Sequence, residues 1–300
     1  MTAIARHRAS GQAGPVLVTG ATGNTGRPVL AGLRAAGAVV RTATRSGEFT
    51  GEHVRFDWFD PGTHAPALDG IERVYLVAPV GVPDPSEQIE SFLRTACDVG
   101  VRRVVFLSSD VIPPGAPGLD RARRAIRQMP EWAVLRPSWF MQNFVVPTHP
   151  MAIGLRTRGE LVSATDGRGI AFVDAADIAA VAVRALLADP PPNREYVITG
   201  PEALSYDDAA HLLTESLAPP TPFRHVRLSP TELADHLAAQ GVPPEMAAVL
   251  AEAEQRIAAG AEDRVTATVA EITGRAPRSL REFITTHRDI AEPLAPTGAG

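Results

Sequence analysis

Residues Val16–Gly26, VLVTGATGNTG, decide the fold of this chain. Val16–Thr19 is a short apolar run, which predicts a buried β-strand. Apolar side chains then recur at helical spacing and stop at a glycine, which predicts a helix over Asn24–Gly37. A glycine-rich segment between a strand and a helix is typical of a phosphate-binding loop, because the first N–H groups of the helix point at the bound anion.

The three glycines of this loop each have a mechanical reason. Gly20 permits the tight turn, and Gly23 lets backbone N–H groups approach a pyrophosphate. Gly26 lets the helix lie close to the sheet. The loop is therefore predicted to bind a dinucleotide, with hydrogen bonds added by the side chains of Thr22, Asn24 and Thr25.

The end of the second predicted strand, Val39–Thr44, indicates which dinucleotide is bound. An NAD site usually places an acidic residue about 20 residues beyond the loop, where it holds the ribose 2′-hydroxyl. Arg45 lies there instead, and a guanidinium binds a 2′-phosphate bidentately, so NADP(H) is the predicted cofactor. Asp57 follows the third predicted strand, where it has two interpretations: an acceptor for the adenine amino group, or a capping residue of the loop.

Further strands and helices alternate along the first two thirds of the chain, and this order favours a parallel sheet with helices on both faces. After Pro137 the pattern changes, and from Tyr206 onward it is mostly helical. The predicted fold is thus α/β: a Rossmann-type doubly wound parallel sheet with a smaller, mostly helical C-terminal lobe. The further predicted strands are Val54–Phe56, Val74–Ala78, Val104–Ser108, Ala133–Arg136, Leu161–Ser163, Ile170–Val173, Tyr196–Thr199 and Phe223–Leu228. The further predicted helices are Ser86–Val99, Ala175–Ala188, Asp207–Leu217, Thr231–Gln240, Pro244–Ala259 and Ser279–His287.

These elements predict how the chain divides. We expect a flexible tail at 1–14 and a dinucleotide-binding domain at 15–150 that is completed by about 174–200. The remaining segments, 151–173 and 201–290, are expected to form a substrate-binding lobe.

The composition excludes several classes of function. All 29 basic residues are arginine, so no mechanism that needs a lysine amine is available, and arginine stays charged at any working pH. The net charge is −5 with no polybasic run, so neither nucleic acid nor an anionic membrane is an expected partner. No apolar run is long enough to span a bilayer. The single cysteine, Cys97, fits a reducing cytoplasm, has no metal-ligand spacing around it, and is predicted to be buried in a helix.

Four further motifs join the loop in resembling one family. They are RRVVFLSS at 102–109, LRPSWFMQNF at 135–144, FVDAADIAAVAVRAL at 172–186 and TGRAPRSLREF at 273–283. Together with the G-x-x-G-x-x-G spacing, they resemble the NmrA-like atypical short-chain dehydrogenases/reductases, a group that includes NAD(P)H-dependent quinone, azo-dye and ergot-alkaloid reductases. The resemblance implies a Rossmann domain with a smaller lobe, and a substrate bound in the cleft between them.

The resemblance also implies roles for individual residues. The pyrophosphate would be held by the loop residues Gly20, Thr22, Gly23, Asn24, Thr25 and Gly26, and the ribose phosphate by Arg45. Ala78 and Pro79 would line the cofactor cleft, while Ser108 and Ser109 would face the nicotinamide. The nicotinamide and substrate pocket would be lined by Pro137, Trp139, Phe140 and Asn143.

One departure from the wider superfamily limits the chemistry. Most short-chain dehydrogenases use a Tyr-x-x-x-Lys pair for proton transfer, and a chain without lysine cannot contain it. Interconversion of alcohols and ketones is therefore disfavoured. A quinone, azo compound or iminium accepts hydride without a strong protein acid, with positioning and desolvation supplying most of the catalysis.

Several side chains are candidates for proton donation or substrate contact, and each has a structural alternative. Asn143 either contacts substrate or caps a helix, and His149 is either catalytic or a loop histidine. Trp139 and Phe140 either stack on a flat substrate or only pack. The remaining candidate donors are Ser109 and Asp110, while Asp174 and Asp177 are predicted to be N-caps rather than catalytic.

Three functions agree with these observations. The first is NADPH-dependent reduction of a small planar electrophile. The second is a non-catalytic NADP(H) sensor that binds a regulatory protein, and the third is a non-redox natural-product enzyme on the same fold. The expected assembly is a monomer or a homodimer, and no metal is expected.

Overall fold

The computed structural model describes residues 14–47, 52–116 and 118–291. The predicted tail at 1–14 lies outside these residues except for Gly14, so it stays a prediction. Among the described residues, no helix combines the length and apolar character required to cross a membrane.

Nine strands are present in the described part of the chain, close to where the sequence predicts them. They are β1 (Val16–Thr19), β2 (Val40–Thr44), β3 (His53–Arg55), β4 (Arg73–Val77), β5 (Arg103–Leu107), β6 (Glu131–Pro137), β7 (Glu160–Ser163), β8 (Arg194–Ile198) and β9 (Arg224–Arg227). The helices are α1 (Gly26–Ala35), α2 (His64–Leu68), α3 (Ser86–Asp98), α4 (Leu119–Ile126), α5 (Pro150–Arg158), α6 (Ala175–Leu187), α7 (Tyr206–Leu217), α8 (Pro230–Ala239), α9 (Pro244–Ala258), α10 (Thr268–Thr273) and α11 (Leu280–Thr286). Short 3₁₀ helices lie at Pro61–Thr63, Met141–Phe144 and Arg288–Ala291.

Seven of the strands form one parallel sheet in the order β3–β2–β1–β4–β5–β6–β8. The chain runs outward from β1 in one direction to β3 and in the other to β8. Ligands of such sheets bind at the carboxyl ends of the strands, next to the point where the strand order reverses. The predicted Rossmann-type fold is confirmed, and β1 and β4 flank the point of reversal.

Both faces of this sheet are covered by apolar side chains. On one face α1 and α6 pack against each other and against the strands, with Val29, Leu33 and Ile178 fully buried. On the other face α3 and α4 bury Phe92 and Ile126. Burial on both faces explains why the central strands β1, β4 and β5 are almost continuously apolar rather than alternating.

The lobe has its own small core and a two-stranded parallel sheet, β7–β9. Its aromatic centre is formed by Phe144, Phe172 and Tyr206, whose ring centroids lie 5.3–6.3 Å apart. A second cluster joins α8 and α9 through Leu233 and Leu237. Neither cluster contains a residue of the seven-stranded sheet.

The prediction of a strand over Ile170–Val173 is wrong. This segment makes only isolated bridges, Ile170 to Leu204 and Phe140 to Val173. Its other backbone groups bond to loops: the Ala171 N–H donates to the Glu262 carbonyl (3.4 Å), and the Ala171 carbonyl accepts from the Gly200 N–H (3.1 Å). The segment is extended and apolar because it is enclosed, and it has no neighbouring strand.

Four helices were not predicted: α2, α4, α5 and α10. The residues of α4 are mostly charged, so its apolar periodicity is weak. Pro147 and Pro150 indicate an interruption of the pattern before α5, but Pro150 occupies the first turn of the helix, where a missing N–H costs little. His149, for which the sequence left a catalytic role and a loop position open, is the N-cap of that helix.

The prediction that Cys97 is buried is also wrong, although it does lie in helix α3. Its side chain is on the exposed face, next to Met129, with 3.5 Å between the two sulfur atoms. The buried face of α3 is formed instead by Ile89, Phe92 and Ala96.

Candidate functional site

The loop between β1 and α1 has a geometry that only glycine permits at two positions. Gly20 has a φ of +59°, a left-handed conformation that is strained for other residues. A Cβ on Gly26 would overlap the carbonyl oxygen of Gly20. The Gly23 N–H donates to that same carbonyl (2.9 Å), which closes the turn. The prediction that this glycine spacing forms a tight strand-to-helix turn is confirmed.

The start of α1 is electrostatically suited to an anion. Its first turn holds no acidic residue, and its N-cap, Thr25, makes no side-chain hydrogen bond to the helix. In the first turn of α1, the Arg27 N–H donates to the Gly23 carbonyl (3.1 Å) and Pro28 has no N–H. The Gly26 N–H makes no backbone hydrogen bond to a described residue and is left for a ligand, and the helix dipole favours negative charge there. Thr25 itself is buried, whereas Thr22 and Asn24 are exposed on the loop.

A threonine ties together the two strands that flank the loop. The Thr19 hydroxyl donates to the Tyr75 carbonyl (3.1 Å) and accepts from the Val77 N–H (2.9 Å). This bridge holds the ends of β1 and β4 at a fixed separation. Tyr75 lies beside Thr25, and burial raises its pKa far above the usual value, so it stays neutral and is a poor acid.

A cleft of about 270 Å³ opens at this edge of the sheet. It is bordered by the loop, the ends of β2 and β4, and the aromatic segment after β3. Seven of the predicted cofactor residues line it: Gly20, Thr22, Gly23, Arg45, Asp57, Ala78 and Pro79. The structure thus brings together residues that lie up to 59 positions apart in the sequence.

The two charged side chains of this cleft differ in their availability. Arg45 is exposed and forms no ion pair with any residue in 14–47, 52–116 or 118–291. Asp57 uses one carboxylate oxygen to accept from the Phe59 N–H (3.0 Å), which is a capping role. Asp57 nevertheless lines the cleft, so its predicted contact with adenine stays a prediction.

Ser108 and Ser109 lie at the carboxyl end of β5. Ser108 is buried, and its hydroxyl has no hydrogen-bond partner among the described residues. Pro137, at the end of the neighbouring strand β6, is also buried, and its carbonyl accepts from the Asp110 N–H (3.0 Å). An unpaired buried hydroxyl carries a desolvation cost, so a group that bonds to Ser108 would be favoured here.

Asp110 is not a free proton donor. Its carboxylate pairs with Arg136 (2.9 Å) and with Arg264, which reaches it from the lobe. Burial raises its pKa, and both arginines oppose that rise. Behind it lies Glu262, which is almost fully buried, and burial raises the pKa of Glu262 to about 7. The ion pair between Asp110 and Arg264 joins the sheet to the lobe.

Phe140 and Asn143 line neither the cofactor cleft nor the cavity of the lobe that contains Trp139. Phe140 packs against the cluster on the α1 and α6 face and bridges to Val173. Asn143 lies half-buried in a 3₁₀ turn, with no side-chain hydrogen bond to a described residue.

Asp174 is the N-cap of α6, as predicted, because its carboxylate accepts from the Ala176 N–H (2.9 Å). Asp177 is not a cap: it accepts from the Arg278 N–H (2.8 Å).

Trp139 and His149 line the same cavity, which has a volume of about 160 Å³ and lies in the lobe. The walls are mainly apolar and come from α5, β7, α8 and α9. The charged or titratable side chains among them are His149, Glu160, His236 and Glu254. Among the described residues, no group of three or more His, Cys, Asp or Glu side chains is arranged to hold a metal ion.

His149 is weakly suited to proton donation. Its Nδ1 accepts from the Met151 N–H (3.2 Å), and burial lowers the pKa of the ring to about 4. The ring is therefore neutral at neutral pH and serves as a helix cap.

Glu254 was not singled out from the sequence. It is about 94 % buried, one carboxyl oxygen accepts from the Ala164 N–H (2.6 Å), and burial raises its pKa to about 7. The sequence feature that could have identified Glu254 is its position on α9, where it lies on the same buried face as Ala247, Ala251 and Ile257. A carboxylate on the apolar face of an amphipathic helix is unusual and needs a partner or a function.

Comparison with known families and proteins agrees with this geometry. A family profile described as NAD(P)H-binding matches residues 20–189. The uncharacterised oxidoreductase YesF of Bacillus subtilis is 42 % identical over 275 residues, which is 91 % of this chain and 95 % of that protein. Agroclavine dehydrogenase of Claviceps fusiformis is 34 % identical over 284 residues, covering 92 % of this chain and 98 % of that one.

A solved structure shares the whole fold. An NADPH-dependent quinone oxidoreductase from Escherichia coli, crystallised with NADPH, superposes with a TM-score of 0.75 at 22 % identity. The match covers 90 % of this chain and 99 % of that one.

Proposed function

The chain belongs to the NAD(P)H-binding oxidoreductases of the NmrA-like, atypical short-chain dehydrogenase/reductase type, and from that premise we propose that it uses NADPH to reduce a small, planar, electrophilic molecule. The observation that carries the proposal is the cleft that joins the glycine loop to Arg45. Substrates of this class are quinones, azo compounds, iminium ions and aromatic natural-product intermediates.

The residues present fit the cofactor. The approach of Gly26 to Gly20 leaves no room for a side chain, and the Gly26 N–H together with the dipole of α1 would favour the pyrophosphate at this end of the helix. Arg45 would bind the 2′-phosphate, since it is exposed and lacks an ion pair with any described residue. Ser108, with its unpaired hydroxyl, would face the nicotinamide. When bound, NADPH supplies a hydride and leaves as NADP⁺.

Two observations support this substrate class: the sequence has no lysine, and its relatives include reductases and dehydrogenases of such molecules. No lysine exists to lower the pKa of a tyrosine, and Tyr75 is a neutral, buried side chain. An electrophile that accepts hydride readily needs less help from an acid. A relative at 34 % identity is a clavine dehydrogenase, and a structural neighbour is a quinone oxidoreductase, which supports acceptors of this kind.

The test is the loss of NADPH absorbance with purified protein and a panel of quinones, azo dyes and cyclic iminium ions. Turnover of at least one class with NADPH, and slower turnover with NADH, is the expected result. Tight NADP(H) binding without turnover would indicate a sensor instead. Conversion of a substrate without consumption of NADPH would indicate a non-redox enzyme.

A further inference from the structure

We propose that the cavity of the lobe receives the substrate and that Glu254 donates the proton that completes its reduction. This inference rests on the proposed function. It assigns a catalytic role to a residue outside the predicted set, and it identifies which part of the lobe meets the substrate.

Trp139 relates the cavity to the edge of the sheet at which the cofactor is expected. Trp139 is one of its walls and follows β6 by two residues, at the carboxyl edge of the sheet. Ligands of parallel α/β sheets lie at that edge. The opposite walls are apolar side chains of α8 and α9, including Leu233, Leu237 and Leu250. An aromatic wall facing aliphatic walls suits a flat, weakly polar molecule.

Glu254 is the acid of this cavity with an uncommitted oxygen. One of its oxygens accepts from the Ala164 N–H, and the other makes no hydrogen bond to a described residue. Glu254 lines the cavity although the residue is only 6 % exposed. A buried carboxyl without a cationic partner favours its neutral form, and a neutral carboxylic acid donates a proton.

The other titratable groups that face the cavity are already engaged. His149 on α5 accepts from the Met151 N–H, and His236 on α8 bonds to the Gln240 side chain (2.6 Å). Glu160 on β7 is paired with Arg158 (2.8 Å) and Arg224 (2.5 Å).

Tyr206 on α7 is fully buried, and its interaction with the Glu254 carboxylate raises the pKa of the phenol further. The two histidines have pKa values lowered by burial, so neither supplies a cation that would hold Glu254 ionised.

The proton balance of a quinone reduction needs one such donor. Hydride addition to the quinone leaves an anionic oxygen, and one proton on that oxygen gives the hydroquinone. The proton leaves the Glu254 carboxyl, whose carboxylate is then reprotonated from solvent. The sum is quinone, NADPH and one proton giving hydroquinone and NADP⁺. A donor whose pKa lies near 7 is well matched to this task at neutral pH.

The test compares the wild type with Glu254→Gln, which keeps an oxygen for the Ala164 N–H but has no acidic proton. Glu245→Gln, an exposed position on the same helix, is the matched control. We expect the wild-type kcat for 1,4-naphthoquinone to fall as pH rises through about 7. In Glu254→Gln we expect kcat at pH 6 to be about a hundredfold lower and independent of pH, with an unchanged Kd for NADPH.

A second readout does not depend on activity. The carboxyl ¹³C resonance of Glu254, assigned by its absence in Glu254→Gln, is expected to titrate near pH 7 and to shift when naphthoquinone is added. The wild type alone also decides the matter, because a kcat without an ionisation between pH 6 and 8 would overturn the role of Glu254.

Outcomes of this experiment separate the two proposals. If the wild type reduces a substrate of the panel and Glu254→Gln keeps the same rate and pH profile, Glu254 is not the proton donor. The proposed function then remains intact. No turnover of any substrate in the panel by the wild type would refute both.

Discussion

The loop between β1 and α1 and the cavity around Glu254 are made of different parts of the chain. The loop is seven consecutive residues, Gly20–Gly26, and its function resides in backbone N–H groups and in the absence of side chains. The cavity collects side chains from four separate elements and from Trp139. A backbone site is specified locally, whereas a side-chain site depends on how distant elements pack. The two should therefore respond differently to substitution.

The largest effect is expected from Gly26→Ala. Its methyl group would overlap the Gly20 carbonyl, so the loop must open and its N–H groups lose their common direction. We expect NADPH affinity to fall at least about a hundredfold by calorimetry, since several charge-assisted hydrogen bonds are lost. Gly62→Ala is the control, because a Cβ there would meet only the side chain of Asp60 at 3.2 Å. Unchanged affinity in Gly26→Ala would show that the pyrophosphate binds elsewhere.

Arg45→Gln tests the side-chain contribution to the same cleft. Loss of a charged hydrogen bond to the 2′-phosphate is worth about 1.5–3 kcal/mol, which corresponds to a roughly 10- to 100-fold weaker Kd for NADPH. The Kd for NADH is expected to stay the same, because NADH has no 2′-phosphate. An equal loss of affinity for NADPH and NADH would argue against the proposed preference for NADPH, without contradicting the position of the cofactor cleft.

Glu262→Gln probes the seam between the sheet and the lobe. Glutamate in an unfolded chain has a pKa of about 4.5, and burial raises that of Glu262 to about 7. Below about pH 4.5 the carboxyl is neutral in both states. Between these values only the unfolded state ionises, so the group's contribution to stability falls as pH rises, and above 7 the loss is constant.

We therefore expect Glu262→Gln to gain stability relative to the wild type between pH 5 and pH 8, by up to about 3 kcal/mol. Chemical denaturation at the two pH values measures this gain. Glu202→Gln, at an exposed position, is expected to show none. A gain of equal size in both variants would argue against a buried neutral Glu262.

Leu237→Trp is expected to act on the substrate alone. The larger side chain would fill part of the 160 Å³ cavity, and small changes in an apolar pocket alter specificity by about tenfold or more. We expect the KM for naphthoquinone to rise about tenfold, while the Kd for NADPH is unchanged. An unaltered KM would place the substrate outside this cavity.

The smallest effect is expected from His149→Asn. Asparagine is a good N-cap, and the histidine ring is already neutral because burial lowers its pKa to about 4. We expect kcat to change by less than about threefold and the pH profile to keep its shape. Loss of activity in this variant, with the fold intact by circular dichroism, would return the proton-donor role to His149.

Much of the fold was predictable because its signals are local. The boundaries of β1 were predicted to the residue, and those of β2, β3, β4, β5, β7 and β9 to within one residue at each end. The helices that were missed lack a local signal. The residues of α4 are mostly charged, and α5 begins at Pro150, which agrees equally well with a break between two elements. Ile170–Val173 has the composition of a strand, but whether a partner strand lies beside it is decided by the rest of the molecule.

What the sequence by itself determined is the dinucleotide loop and the absence of a lysine-assisted acid. Each follows from residue identity: glycine alone tolerates the geometry of Gly20 and Gly26, and arginine does not release its proton. Only the tertiary structure decided that Trp139 and His149 share a wall with Glu254, and that Asp110 is neutralised by arginines 26 and 154 residues away. The pKa of a carboxyl group is set by its burial and its neighbours, and those exist only once distant elements have packed.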